Sequence, residues 1–322
     1  KAAKAKILKI WPNQHITVSS EILPEIREFE RCSTATLNAY LQPPIGDYLE
    51  RLETGLREGG FDGEILILQS NGGVMSLDIA RSYPIRTALS GPAAGVIAGA
   101  HIGLSAGFPN LITCDMGGTS FDVSLISDGE SAIAAQNSVD FGMVIRTPMI
   151  EITTIGAGGG SILWLDNQNI LKVGPHSAGA DPGPASYGRG GLQPTITDCF
   201  VAMGLIDPQA FLGGRMRLDR SAAVKALDTL SVGLRFRGSD SALKVADSAL
   251  RVAIAMMSSE LYKELAQRGV DPRGRYLMAY GGAGPTLAAP LAHEAKLGGV
   301  LVPMSPGTLC AYGAITSQVR RD

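Results

Sequence analysis

Disulfide bonding, membrane insertion and electrostatic capture of nucleic acid each need a residue pattern that this sequence lacks. Its four cysteines, Cys32, Cys114, Cys199 and Cys310, are far apart and form no CxxC pair. That excludes a disulfide framework and fits a reduced, cytoplasmic protein. No apolar run reaches the roughly 18 residues needed to span a bilayer, no stretch reads as a secretory leader, and there is no Asn-x-Ser/Thr acceptor. A formal charge of −2 gives no electrostatic case for nucleic acid or an anionic membrane. The four histidines, His15, His101, His176 and His293, show no metal-ligand spacing. No Walker A sequence occurs, and Gly156-Ala-Gly-Gly-Gly160 fails the GxGxxG pattern because Ser161 stands at its last position.

What remains is glycine and a large apolar fraction. Hydrophobic residues make up 45% of the 322 positions, enough for a sizeable core. The 40 glycines are clustered rather than periodic, which marks tight turns and places where backbone approaches a ligand. The chain opens on Lys1-Ala-Ala-Lys4, already helical in pattern, so a central fragment of a longer protein is the expectation.

Periodicity predicts a helix over 33–57, broken or kinked at Pro43-Pro44. A buried strand over 64–68 ends in the Gln69–Gly73 turn, and a helix runs from Ser90 to about Leu104 with Pro92 in its first turn. Strands follow at 111–115 and 121–127, with Asp128-Gly129 as a hairpin turn and a third strand at 131–135. Between Gly156 and Gly214 the chain is rich in glycine and proline, with a hairpin at 161–165 and 170–173 and a long ordered loop over 174–194. Thr197 or Asp198 caps the next helix. A long helix reaches from 239 or 240 to about 268. A strand at 276–280, a helix at 285–295, a strand at 300–302 and a last helix from about Gly307 complete the chain. The class is α/β.

Two segments carry a chemical signal. In Asp115-Met-Gly-Gly-Thr-Ser-Phe-Asp122 a carboxylate ends a strand, two glycines turn the chain and hydroxyls follow. Gly117 and Gly118 let backbone N–H groups approach phosphate oxygens, Thr119 and Ser120 add hydroxyls, and Asp115 and Asp122 suit Mg²⁺ held directly or through water. An ordinary hairpin turn explains the same residues equally well. In Tyr280-Gly-Gly-Ala-Gly-Pro285 three glycines between strand and helix suit close packing on a purine and ribose, or an anion at the helix start. A plain turn with proline at N1 explains these too. Their order along the chain, phosphate turn before adenosine turn, favours the nucleotide reading of both.

Other segments leave both readings open. Gly156–Gly160 is an anion-binding turn, a hinge or neither. Gly174-Pro-His-Ser-Ala-Gly179 approaches a nucleophile elbow but has Pro175 where the first glycine is needed, which counts against a catalytic Ser177. Arg189, between glycines, is either an anion clamp or part of a solvated loop.

Taken together these segments resemble the A-type subunit of the hydantoinase/oxoprolinase family. The matching stretches include Ser19–Arg31, Gln69–Gly73, Leu89–Gly95, Asp115–Asp122, Gly156–Ser161, Ser177–Gly191, Pro194–Asp198, Arg268–Arg273 and Gly281–Pro285, in order. The resemblance implies an actin-like (ribonuclease-H-like) ATPase fold, with 1–105 as the end of the first lobe and the inter-lobe segment. Residues 106–322 would be the second lobe, with an insertion at about 156–238. It implies ATP and Mg²⁺ as cofactors, with Asp115 at the metal and Asp115 and Asp122 in the catalytic role. Gly117, Gly118, Thr119 and Ser120 form the phosphate loop, and Gly281, Gly282, Ala283, Gly284 and Pro285 the adenosine loop.

The implied function is ATP-dependent hydrolysis of cyclic amides of the hydantoin or 5-oxoproline type, through phosphorylation of the carbonyl oxygen. Alternatives are the ATP-binding subunit of an acetone- or acetophenone-type carboxylase, and a nucleotide-binding scaffold without chemistry. The implied partners are a cyclic amide or ketone and a B-type subunit or domain, with neither nucleic acid nor membrane. Two departures stand out. The family's N-terminal Asp-x-Gly-Gly-Thr loop has no counterpart here, and Ser186 stands where many members have cysteine.

Overall fold

Five of the six residues of Leu111-Ile-Thr-Cys-Asp-Met116 are buried, the pattern of a strand covered on both faces. In a computed structural model, which describes residues 2–13, 15–138 and 142–317, this strand is the middle of a six-stranded sheet. The strand order is Thr153–Ile155, Phe121–Ser127, Leu111–Met116, Tyr276–Tyr280, Gly299–Leu301, with Glu130–Ser131 also paired to Phe121–Ser127. The first three are antiparallel to one another in turn, and the last two are parallel to Leu111–Met116.

The chain divides into two compact units. The unit holding the sheet comprises residues 99–130 and 152–309. Alternation along the strands sends Ile112, Cys114 and Met116 to one face. There they join Phe121, Val123, Leu277 and Ala279 in a core with the helices Ser241–Gln267 and Gly284–Glu294. Each fully buried Leu, Ile, Met or Phe in it contributes about 1.5–3 kcal/mol. The opposite face carries Thr113 and packs against Gly99, where a Cβ would come within 3.1 Å of Thr113 Cγ2.

The second unit comprises residues 1–98, 131–151 and 310–322. Its longest element is the helix Glu28–Glu58, which continues through Pro43 and Pro44. The expected break does not occur, because side chains on both sides of the proline pair are held. Asn38 Nδ2 and Gln42 Nε2 both donate to the Ser82 carbonyl at 3.0 Å, and Leu49 is buried with Met75, Leu77 and Ala80. Ser70, in the Gln69–Gly73 turn, hydrogen-bonds the Arg86 carbonyl through its amide at 2.7 Å and its hydroxyl at 2.8 Å.

Other expectations need correction. The third strand is not continuous over 131–135. Glu130–Ser131 pairs only briefly with Phe121–Ser127, the chain leaves for the other unit, and Thr153–Ile155 supplies the rest. The 174–194 loop starts later than expected, because the strand Leu171–Ser177 extends through Pro175 to pair Ser177 with Ser161. Thr195 caps the helix Ile196–Met203, with Asp198 completing a capping box from N3. The helix Arg220–Ser231 had no counterpart in the sequence reading.

Candidate functional site

The Leu111–Met116 and Phe121–Ser127 strands turn on the Gly117 amide, which donates to the Ser120 carbonyl at 3.1 Å. The register places Asp115 directly opposite Asp122. Directly opposed side chains share a face, with Cβ atoms about 4.5–5.5 Å apart, and two like charges there repel. Ser120 Oγ donates to Asp122 Oδ2 at 3.4 Å, while the buried Asp122 Oδ1 has no hydrogen-bond partner. A pair of opposed carboxylates with an unsatisfied oxygen is a donor set that suits a hard divalent cation completing its shell with water. Among the described residues no group of three or more His, Cys, Asp or Glu side chains is arranged for a metal.

The second glycine turn closes on the first. The Ala283 amide donates to the Met116 carbonyl at 2.9 Å. Gly281 has φ +81°, and a Cβ there would overlap Asp115 Oδ1 and lie 2.5 Å from the Met116 carbonyl oxygen. At Gly284 a Cβ would sit 3.3 Å from the Cys114 carbonyl oxygen. Pro285 occupies the first turn of the Gly284–Glu294 helix, where its missing N–H costs nothing.

A third glycine run packs against the same turn. Gly159 N donates to Gly117 O at 3.0 Å and Gly160 N to Gly118 O at 2.5 Å. A Cβ on Gly158 would lie 2.6 Å from Gly118 and Thr119 backbone atoms. The Thr197 amide and hydroxyl both donate to Gly159 O, at 2.7 and 2.8 Å. Close packing therefore requires glycine at 158, 159 and 160, whereas a Cβ on Gly156 would meet only Pro175 at 3.9 Å.

These turns form one end of a cavity of about 390 Å³. Gly117, Gly118, Gly159, Gly282 and Ala283 line one part, and Phe200, Ile206, Ala210, Phe211 and Leu212 give it an apolar wall. Tyr187, Thr197, Asp207 and Thr286 complete it. Tyr187 and Phe211 pack with ring centroids 5.9 Å apart and planes tilted by 44°. Gly117, Gly118 and Gly282 differ from the other glycines in this region. None has positive φ, and a Cβ on any of them would meet nothing within 4 Å. The fold does not demand glycine at these three positions, and all three face the cavity.

Of the residues singled out from sequence, Gly117, Gly118, Gly282 and Ala283 thus line one cavity. Asp115, Thr119, Ser120, Asp122, Gly281, Gly284 and Pro285 lie in or next to the two turns without forming its wall. Sequence reasoning missed the apolar wall and Asp207. The only signal there was the Asp207-Pro208 turn, since the apolar residues are spaced like any core segment.

The remaining candidates sort themselves by environment. Ser177 ends a strand, and its Oγ accepts from the Gly179 amide at 3.1 Å, so no strand-to-helix elbow exists. His176 is exposed. Arg189 Nη1 donates to the Ala180 carbonyl at 3.4 Å. Asp198 is fully buried and accepts from the amides of Ala185, Ser186 and Thr195 and from the Thr195 hydroxyl, a structural assignment. Burial, and secondarily the Asp115 charge, raises the Cys114 thiol pKa. Burial and then Asp198 do the same for Cys199, so neither is a thiolate near neutral pH.

The family model described as "Hydantoinase/oxoprolinase" matches residues 31–322. The chain is 38% identical to the caprolactamase subunit alpha of Pseudomonas jessenii, over 99% of this chain and 45% of that protein. It is 34% identical to the acetophenone carboxylase gamma subunit of Aromatoleum aromaticum, over 93% and 40% respectively. The crystal structure of ATP-dependent caprolactamase from Pseudomonas jessenii superposes with TM-score 0.82 and 37% identity, covering 99% of this chain and 45% of that one. The chain thus spans under half the length of the relatives it matches. No helix among the described residues is long and apolar enough to cross a membrane.

Proposed function

The chain belongs to the hydantoinase/oxoprolinase family, and from that premise we propose that it is the nucleotide-binding portion of an ATP-dependent enzyme that opens cyclic amides. The observation that carries this reading is the set Gly117, Gly118 and Gly282, glycines without a conformational or packing need that share one cavity. Absence of a side chain there is explained by a ligand that needs the space.

In this reading ATP lies with its nucleoside against the apolar wall and its phosphates over the Gly117–Ser120 turn, where Gly117 and Gly118 give backbone access and the Thr119 and Ser120 hydroxyls lie beside the cavity. Asp115 and Asp122 would hold Mg²⁺ directly or through water, and the unpartnered Asp122 Oδ1 fits that task. Bound there, the ion would neutralise phosphate charge. Phosphoryl transfer depends mainly on positioning and electrostatics, which glycine turns, hydroxyls and carboxylates supply. The γ-phosphoryl group passes to the carbonyl oxygen of the amide, ADP departs, and the activated carbon becomes open to water.

The sheet order supports an actin-like ATPase lobe. Three antiparallel strand positions are followed by two parallel strands joined through helices. We place residues 106–322 in its second lobe, apart from the 131–151 excursion and the chain beyond Leu309, with 156–238 as an insertion. Residues 1–105 then close the first lobe and the inter-lobe segment. The reading also includes a partner of B type, since the relatives named are subunits, and a cytoplasmic setting. The acetophenone carboxylase relative favours a second reading, in which the same nucleotide site serves carboxylation of a ketone.

The test is calorimetric titration of Mg²⁺-ADP into the chain and into Gly282→Val. Binding by the wild type and loss in the variant, with both equally folded, supports the site. Equal binding by both removes it. In the full-length enzyme, ATP turnover with a panel of lactams and ketones, with and without labelled bicarbonate, separates hydrolase from carboxylase.

A further inference from the structure

Asp207 is the one residue of the cavity wall that carries a carboxylate. Its neighbours along the wall, Ile206, Ala210, Phe211 and Leu212, are apolar. Asp207 is exposed, at the open side of the wall. Its Oδ1 accepts from the Gln209 amide at 2.9 Å, and its carbonyl accepts from the Ala210 amide at 3.2 Å, so a tight turn restrains it. The Leu218 amide anchors that turn from the next segment through the Pro208 carbonyl at 2.9 Å.

An anionic side chain on the wall of a nucleotide cavity has two consequences. It repels phosphates, and so assigns its end of the cavity to the nucleoside. It is also acceptor-only, so the part of a nucleotide that can satisfy it is one that offers hydrogen-bond donors. A ribonucleoside offers such donors as a vicinal pair of hydroxyls, a geometry that the two oxygens of one carboxylate match. Resting on the nucleotide reading above, we propose that Asp207 is a specificity-determining residue that accepts from the ribose hydroxyls and selects ribonucleotides over deoxyribonucleotides.

The test compares ADP, 2′-deoxy-ADP, 3′-deoxy-ADP and inosine diphosphate as calorimetric ligands of the wild type, Asp207→Ala and Asp207→Asn. Thermal melts of all three proteins verify folding. Asn retains the acceptor that the Gln209 amide uses while removing the charge. A hydrogen bond to a charged acceptor corresponds to roughly a tenfold or greater preference. The wild type should therefore bind ADP about tenfold or more tightly than either deoxy form. In Asp207→Ala that ratio should fall to about one through weaker ADP binding, and in Asp207→Asn it should fall to a few-fold. Equal binding of ADP and the deoxy forms by the wild type, or a ratio that survives in Asp207→Ala, overturns the proposal while leaving the nucleotide site standing. So does a preference for ADP over inosine diphosphate that vanishes in Asp207→Ala with the sugar preference intact, which would move the contact to the base. Absence of any nucleotide binding by the wild type overturns both this inference and the reading beneath it.

Discussion

The Ala283 amide and the Met116 carbonyl, 167 positions apart in sequence, are joined by a hydrogen bond of 2.9 Å. That one bond brings the second glycine turn onto the first, and the parallel pairing of Tyr276–Tyr280 with Leu111–Met116 sets it in register, with Tyr280 beside Asp115. Two turns at the carboxyl ends of adjacent parallel strands are where open α/β sheets place their ligands. The strand pairing therefore builds the site, and the glycines permit its closeness.

Glycines in this region fall into two physical groups, and alanine separates them. At Gly117, Gly118 and Gly282 the added methyl meets nothing within 4 Å, and φ is not positive. Alanine there should leave the fold intact or stabilise it by about 0.4–1 kcal/mol through the unfolded chain, while nucleotide affinity drops at least tenfold. At Gly281 and Gly158 alanine meets backbone atoms at 2.5–2.6 Å. Gly281→Ala also places a side chain at positive φ, costing about 1–2 kcal/mol before any clash is counted. Urea unfolding and calorimetry of the five variants check both halves. A destabilised Gly282→Ala, or an unperturbed Gly281→Ala, breaks the division.

Asp115 and Asp122 oppose each other across the hairpin, so neutralising either relieves repulsion. Without divalent ion, Asp122→Asn should be as stable as the wild type or more so, by a few tenths to about 1 kcal/mol. In the intact enzyme Asp115→Asn should lower ATP turnover by orders of magnitude, and stabilisation by Mg²⁺-ADP should disappear in both variants. Melting curves with and without Mg²⁺, together with phosphate release, measure this. Undiminished turnover in Asp115→Asn would remove its role at the metal.

The alternative of a serine nucleophile turns on Ser177. Its Oγ caps the Gly179 amide at a strand end, with exposed His176 beside it in sequence. Neither residue lines the cavity. Ser177→Ala and His176→Ala should keep ATP turnover within a few-fold of wild type. Abolished turnover in Ser177→Ala would restore the nucleophile reading.

Much of the sheet and both glycine turns were legible because apolar runs such as Leu111–Cys114 and Tyr276–Ala279 end abruptly in polar or glycine residues. The third strand was not, because its place is filled from two short pieces, Glu130–Ser131 and Thr153–Ile155, neither long enough to show a period. Helix continuity through Pro43-Pro44 was also hidden. It rests on Asn38 and Gln42 reaching Ser82, some forty residues away. The apolar wall at Phe200, Ile206, Phe211 and Leu212 has the composition of any core, and only packing against Tyr187 and the glycine turns makes it one side of a cavity.

Tyr187 holds its place on that wall through Asp198, and this coupling is testable. The Asp198 carboxylate sits at 0% exposure and receives the Ser186 amide at 2.7 Å, the Ala185 amide at 3.2 Å, and both the amide and hydroxyl of Thr195 at 2.8 Å. One side chain thereby caps the Ile196–Met203 helix and pins the loop immediately before Tyr187. Asn at this position keeps one acceptor oxygen but turns an NH₂ group toward buried donors. Unsatisfied buried groups cost about 1–3 kcal/mol each, so Asp198→Asn should lose on the order of 2–4 kcal/mol in urea unfolding. Loss of the loop anchor should also loosen Tyr187 from Phe211, weakening ADP binding several-fold at temperatures where the variant remains folded. A variant that loses less than about 0.5 kcal/mol, well below the cost of one buried orphan, would mean that the loop is held from elsewhere. Asp198 would then be a helix cap and nothing more.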